Sequence, residues 1–264
     1  MESQITYKKL TVKDEKTIKL LCLKRKKYNF FILSNLNLLA KKQNLVEYFG
    51  VYEEKELVGV IMFFHKLLYY EIKEKKYFKN IIDLLLYTDK NEIIINDTYD
   101  LYNRNYFTPK YHEEFIKPGL LFQYYDNKLI NEKEEPKALL ANIDNIESLV
   151  DFYNSAPIDI KRGKDSLLRS ITNGRRTFFT KKNGIVSSCI LTTGETNDSA
   201  MLGGIHYICN KDLIIATNSI IESLIKENKK LIYTVIRDEK VISILKKIGF
   251  IKLGNWNIIH LKSD

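Results

Sequence analysis

Apolar and polar positions between residues 178 and 256 switch repeatedly between a period of two and a period near 3.6. Residues 178–187 place two apolar arms around Asn183-Gly184, which predicts a hairpin with a two-residue turn. Residues 198–208 read as a further strand, entered through Met201-Leu202-Gly203-Gly204. Ile214, Ile221, Leu224 and Ile225 recur at helical spacing and predict a helix over 214–225. Leu231, Tyr233 and Val235 alternate as in a short strand. A second helix is expected over 239–248, with Gly249 as its C-cap.

The first half of the chain repeats this grammar. A strand is expected at 5–10, helices at 13–26 and 29–39, and a hairpin over 48–61. Then follow a strand at 67–72, a helix at 77–88, a strand at 92–95 and a helix-like stretch at 99–106. Pro109, Pro118 and Pro136, with Gly119 and the charged run at 131–135, mark a boundary. The expected domains are therefore 1–118, a linker at 119–136, and 137–264. The second begins with a strand at 138–140 and a helix from Asp144, whose spacing to Glu147 suits a capping box. The doubled order of elements reads as a duplication; two unrelated segments with similar hairpins are the other reading.

Composition narrows the class. Hydrophobic residues at 45% and charged residues at 28% fit a globular chain of 264 residues. No run reaches the roughly 20 apolar residues of a membrane span, so no membrane partner is expected. Cys22, Cys189 and Cys209 lack paired spacing and read as small core residues of a cytoplasmic chain. The four histidines have no metal-ligand spacing. The net charge is +9. Eight cations between Lys161 and Lys182 stand against Asp165 alone. This window is either a solvated face or a basic rim for an acidic ligand, with Arg175 and Arg176 expected at the cleft mouth. No basic sheet motif with interleaved aromatics is present, so nucleic acid is not the expected partner.

Four segments in order carry a resemblance: Asn183-Gly184-Ile185-Val186-Ser187-Ser188, Thr192-Thr193-Gly194-Glu195, Ala200-Met201-Leu202-Gly203-Gly204, and Leu245-Lys246-Lys247-Ile248-Gly249-Phe250. Together they resemble the acetyl-CoA-binding half of the GNAT superfamily of N-acetyltransferases, in its two-lobed bacterial form. The resemblance implies an α+β fold of tandem GNAT-like lobes, each a mixed, mostly antiparallel sheet flanked by helices. It implies acetyl-CoA as co-substrate and an amine, small molecule or peptide, as acceptor. The first lobe shows no phosphate turn, so acetyl-CoA is expected in the second.

Carried over residue by residue, the family's phosphate turn falls on Lys211, Asp212, Leu213, Ile214, Ile215 and Ala216. Lys211 stands at the Arg/Gln position and Ile214 where the family has glycine. Asp212 suits a helix N-cap. The resemblance also implies that backbone groups of His206, Tyr207 and Ile208 hold the pantetheine arm. Glu195 is the candidate base, with an exposed loop carboxylate as its other reading. The family's late-helix tyrosine is Leu245 here, and Tyr207 is the candidate substitute acid, beside Tyr233. The function implied is acetyl transfer to an amine. A binding protein of the same fold that has lost efficient CoA binding is the alternative.

Overall fold

The computed structural model describes residues 4–40, 46–86, 88, 90–106, 110–125, 137–157 and 160–263. Its first elements are β1 (Ile5–Lys9), α1 (Glu15–Leu23), α2 (Phe30–Ser34), α3 (Leu36–Ala40), β2 (Val46–Glu53), β3 (Glu56–Phe64), β4 (Leu67–Ile72), α4 (Phe78–Leu86), β5 (Glu92–Asp97), β6 (Tyr111–Lys117) and β7 (Leu120–Tyr124). After these come β8 (Leu139–Leu140), α5 (Ile146–Asn154), α6 (Lys164–Thr172), β9 (Thr177–Lys182), β10 (Ile185–Glu195), β11 (Ser199–Tyr207), α7 (Asn210–Lys226), β12 (Leu231–Ile236), α8 (Glu239–Ile248), β13 (Phe250–Asn255) and β14 (Asn257–Ser263). The strands form two seven-stranded sheets, ordered β1-β2-β3-β4-β5-β14-β6 and β13-β7-β12-β11-β10-β9-β8. Two mixed sheets with flanking helices are the α+β tandem architecture the sequence implied.

The domain boundaries differ from the sequence reading. One unit combines the first 120 residues with the segment from Gly254 onward, and the other spans Leu121–Leu253. β7, inside the expected linker, lies between β12 and β13, while β14 lies between β5 and β6. Each strand fills an interior place in the sheet of the other half. Both carry apolar runs suited to burial on two faces, with Leu121, Phe122, Ile259 and Leu261 all buried. Proline and charge punctuation at 109, 118 and 131–136 could not reveal this exchange, because sheet order is a long-range property. Pro109, Pro136 and 131–135 lie outside the described residues.

In the first unit, the hairpin β2–β3 is closed by a tight turn with Glu54 at φ 55°. Thr11 and Asp14 form a reciprocal capping box on a 3₁₀ turn, and α1 follows from Glu15. The helix expected over 13–26 stops at Leu23, because Asn29 Nδ2 donates to the Cys22 carbonyl (3.0 Å) across a bend. The helix-like reading of 99–106 is also corrected. Asp97 accepts N–H bonds from Tyr99, Leu101 and Tyr102 (2.9, 3.0 and 3.1 Å), so this stretch turns, and only Arg104–Tyr106 is 3₁₀. The parallel ladder β4–β5 ends at Tyr69↔Asn96. Beyond it, Tyr99 stacks on Tyr70 and donates to Glu71 (2.5 Å), with the Arg25 guanidinium 3.5 Å from the Tyr99 ring. These side chains pack together just past the end of the ladder. Burial pushes the Glu71 carboxyl above its ordinary range, against the pull of Tyr99, Arg25 and Asn29.

In the second unit, Asn183 (φ 52°) and Gly184 (φ 81°) both occupy the left-handed region that the hairpin turn requires. Gly249 caps α8 at φ 111°, as its place after Ile248 predicted. The start of α5 is set differently. Asn142 and Asn145 form the reciprocal box on a 3₁₀ turn, so Asp144 lies inside that turn and α5 begins at Ile146. α5 and α6 cover Phe179, Cys189 and Leu191 on one sheet face. Ser188, pointing the opposite way, donates to the Asp212 carbonyl of α7 (2.9 Å).

Candidate functional site

The chemistry-bearing region of the second lobe begins at a break in its sheet. β11 and β12 pair in parallel from Ser199↔Leu231 to Leu202↔Thr234, and the ladder stops there. On its other edge β11 carries a bulge, since Leu191 opposes Gly203 while Cys189 opposes His206. One extra residue bends a strand away from its neighbour. Gly204, at φ +57°, supplies the backbone conformation at the bend. A Cβ there would meet Leu191 Cδ2 at 2.8 Å. Tyr153 of α5 fixes the bulge by donating its hydroxyl to the Gly204 carbonyl (2.5 Å). The sequence reading missed Tyr153; its place in a helix well before β11, with α6, β9 and β10 between, gives no local signal. From Gly203 to Tyr207, about 16 Å of strand edge lies past the end of the β12 ladder.

The three residues expected to offer backbone groups to this opening separate by parity. The Ile208 N–H donates to the Ser187 carbonyl (2.8 Å), and Tyr207 opposes Ser188. Antiparallel pairs alternate, so His206 and Ile208 turn their backbone toward β10 and Tyr207 turns its own toward the opening. The expectation for His206 and Ile208 is corrected accordingly. The His206 side chain still flanks the site. It packs on Phe152 (ring centroids 4.6 Å), with Nε2 3.1 Å from Ser155 Oγ. Burial holds the imidazole below its ordinary value. The Tyr207 side chain leaves by the opposite face. Burial first, and then the negative charge of Asp238, raise its phenol above the usual value. Asp238 caps α8 by accepting from the N–H of Lys240 and Val241 (2.7 and 3.3 Å).

The phosphate-turn reading of 211–216 does not fit. α7 starts at Asn210 with Cys209 as N-cap, two residues beyond β11. Lys211, Asp212, Leu213, Ile214, Ile215 and Ala216 are all helical, and Asp212 stands in the first turn instead of capping it. Leu213 and Ala216 are core residues. Ile214 is ordinary for a helix interior, so its β-branch removes no flexibility. Glycine at 212 and 214 would cost about 1 kcal/mol each in helix propensity. Leu245, at the family's tyrosine position, is fully buried.

Glu195 sits at the closed end of the break, where it pairs with Ala200. Its Oε1 accepts from Thr192 Oγ1 (3.0 Å), and its Oε2 lies 3.2 Å from Arg176 and 3.7 Å from Lys229. Arg176 also bonds Glu227 and the Ser223 carbonyl. Both oxygens are engaged, whereas a general base needs a lone pair aimed at its substrate. Arg175 and Arg176 lead into β9 at this same end, with Arg176 paired to Thr192, so they do not frame the open mouth. Glu195→Gln is expected to lower stability by about 1–3 kcal/mol, because two mostly buried cations lose their shared partner. Chemical denaturation measures this, and a variant as stable as the parent would remove the structural role.

No protein-family profile and no curated protein matches the chain. Solved structures do match over nearly its whole length. A tandem GNAT protein from the clavulanic acid biosynthesis pathway is 10% identical, with 99% of each chain covered and a TM-score of 0.62. A GCN5-related N-acetyltransferase from Sphaerobacter thermophilus is 9% identical, covering 98% of this chain and 95% of that one, with a TM-score of 0.62. A Drosophila protein is 11% identical, with 97% and 98% covered and a TM-score of 0.72. At such identities the likeness is one of fold: the chain has the tandem GNAT fold.

Proposed function

We propose that the second lobe binds acetyl-CoA in the opening between β11 and β12 and transfers the acetyl group to an amine. The observation that carries this reading is the ladder ending at Leu202↔Thr234 beside a glycine bulge. The free edge of β11 offers Tyr207 backbone groups to an extended, amide-bearing arm, as a sheet edge accepts an added strand. An outward N–H on this edge would suit a thioester oxygen, whose negative charge grows as the amine attacks. The amine must shed a proton and the sulfur must gain one. On one face, His206 beside Ser155 is the candidate to take the first. On the other, the Tyr207 phenol is the candidate to supply the second. Each such transfer contributes about 10²–10⁴-fold.

A second reading rests on its own observation. Only Ile208 and Cys209 separate β11 from α7, so no glycine turn cradles a diphosphate, and Leu245 cannot donate a proton. These favour a binding protein of GNAT fold without efficient CoA use. Calorimetry with acetyl-CoA and CoA separates the two. Micromolar binding supports the transferase, and absence of binding at millimolar ligand assigns the second reading. For a transferase, Tyr207→Phe is expected to lower kcat about 100-fold at unchanged acetyl-CoA affinity. Unchanged kcat would remove Tyr207 from proton transfer.

A further inference from the structure

The first lobe carries a surface that acetyl transfer does not use. Between Lys8 and Lys27, nine cations stand against Asp14 and Glu15. α1 buries Ile18, Leu21 and Cys22 and turns Lys16, Leu20 and Leu23 outward. At about 100° per residue these three share one arc with Lys24 and, from the preceding turn, Lys13. Leu20 is 61% exposed and Leu23 51%. Among the described residues no carboxylate pairs with Lys13, Lys16 or Lys24. Two leucines in water, ringed by free ammonium groups, match a surface with phosphate outside and hydrocarbon beneath.

We propose that the outer face of α1 docks the protein on an anionic lipid bilayer. The absence of a spanning segment bears on insertion, whereas this contact lies in the headgroup plane. Nucleic acid shares the attraction for lysine, but exposed leucines give a phosphate backbone nothing to bind, and no aromatic stands on this arc. The bilayer uses both parts of the face.

The test is co-sedimentation of the full chain with phosphatidylcholine vesicles, with and without phosphatidylserine. Binding is expected only with phosphatidylserine, and it should weaken as salt rises. Leu20→Ser with Leu23→Ser, and separately Lys16→Glu with Lys24→Glu, are each expected to weaken it about tenfold or more. All four positions are exposed, so buried Trp256 should keep its native fluorescence in both variants. Equal binding to both vesicle types, or full binding by either double variant, overturns the proposal. So does binding to RNA without vesicle binding, which assigns the face to nucleic acid. A dimer dispersed by the leucine changes, again without vesicle binding, assigns it to a second copy.

Discussion

Deleting residues 257–264 is expected to unfold the first lobe. β14 is an interior strand there, hydrogen-bonded to β5 from Asn257↔Asp97 to Lys262↔Glu92 and to β6 on its other side. Ile259 and Leu261 are buried in the core with Ile61, Leu68, Ile95 and Tyr111. Removing one such side chain alone costs about 2–5 kcal/mol. Loss of both, with two ladders left open, takes most of the roughly 5–15 kcal/mol that holds a folded domain. Circular dichroism should show lost cooperativity on heating. The single tryptophan, Trp256, remains in the truncated chain. Its indole N–H donates to Asn96 (2.9 Å) in the intact protein, so its emission should shift red as the pocket opens. A truncated protein with parental melting and unshifted emission would refute the placement of β14. Leu261→Ala gives a milder check, with a fall in melting midpoint expected from the cavity alone.

Gly204→Val is the second change with a large expected effect. The left-handed φ costs a β-branched residue more than the about 1–2 kcal/mol typical of L residues. Its Cβ would also lie 2.8 and 2.9 Å from Leu191 side-chain carbons and 3.2 Å from the Tyr153 hydroxyl. The bulge must then rearrange, and β11 loses the bend that parts it from β12. Acetyl-CoA affinity should fall at least about tenfold, equivalent to about 1.4 kcal/mol, together with a loss of stability of about 2–4 kcal/mol. Adding Leu191→Ala should recover part of the stability through the space it opens, but not the φ cost. A folded Gly204→Val protein that binds acetyl-CoA like the parent would separate the bulge from binding.

The frame around the candidate site was legible where its signals are local. Asn183-Gly184 and Gly249 announce backbone conformations that few other residues adopt, and both stand where expected. Gly203-Gly204 marked the strand that carries the bulge. Local signals also misled. Asp212 has the chemistry of an N-cap, yet α7 starts earlier, because Ile208 pairs back to Ser187 and the chain turns at Cys209. Glu195 looked like a free loop carboxylate or a base. Its role depends on Arg176 and Lys229, which arrive from other elements.

By itself the sequence determined the class of fold, the doubled order of strands and helices, the two hairpins and the late helix with its glycine cap. Periodicity and turn chemistry act over a few residues, so each such element reports its own presence. Tertiary structure alone decided which strands are neighbours. It placed β7 and β14 inside sheets that their chain positions did not suggest, and it set Tyr99 and Arg25 against Glu71 past the end of the β4–β5 ladder. It also turned the Tyr207 backbone toward the second opening and the His206 backbone away. These outcomes depend on register, where a shift of one residue reverses every side chain and backbone group. Register is fixed by partners distant along the chain, and no window of sequence contains them.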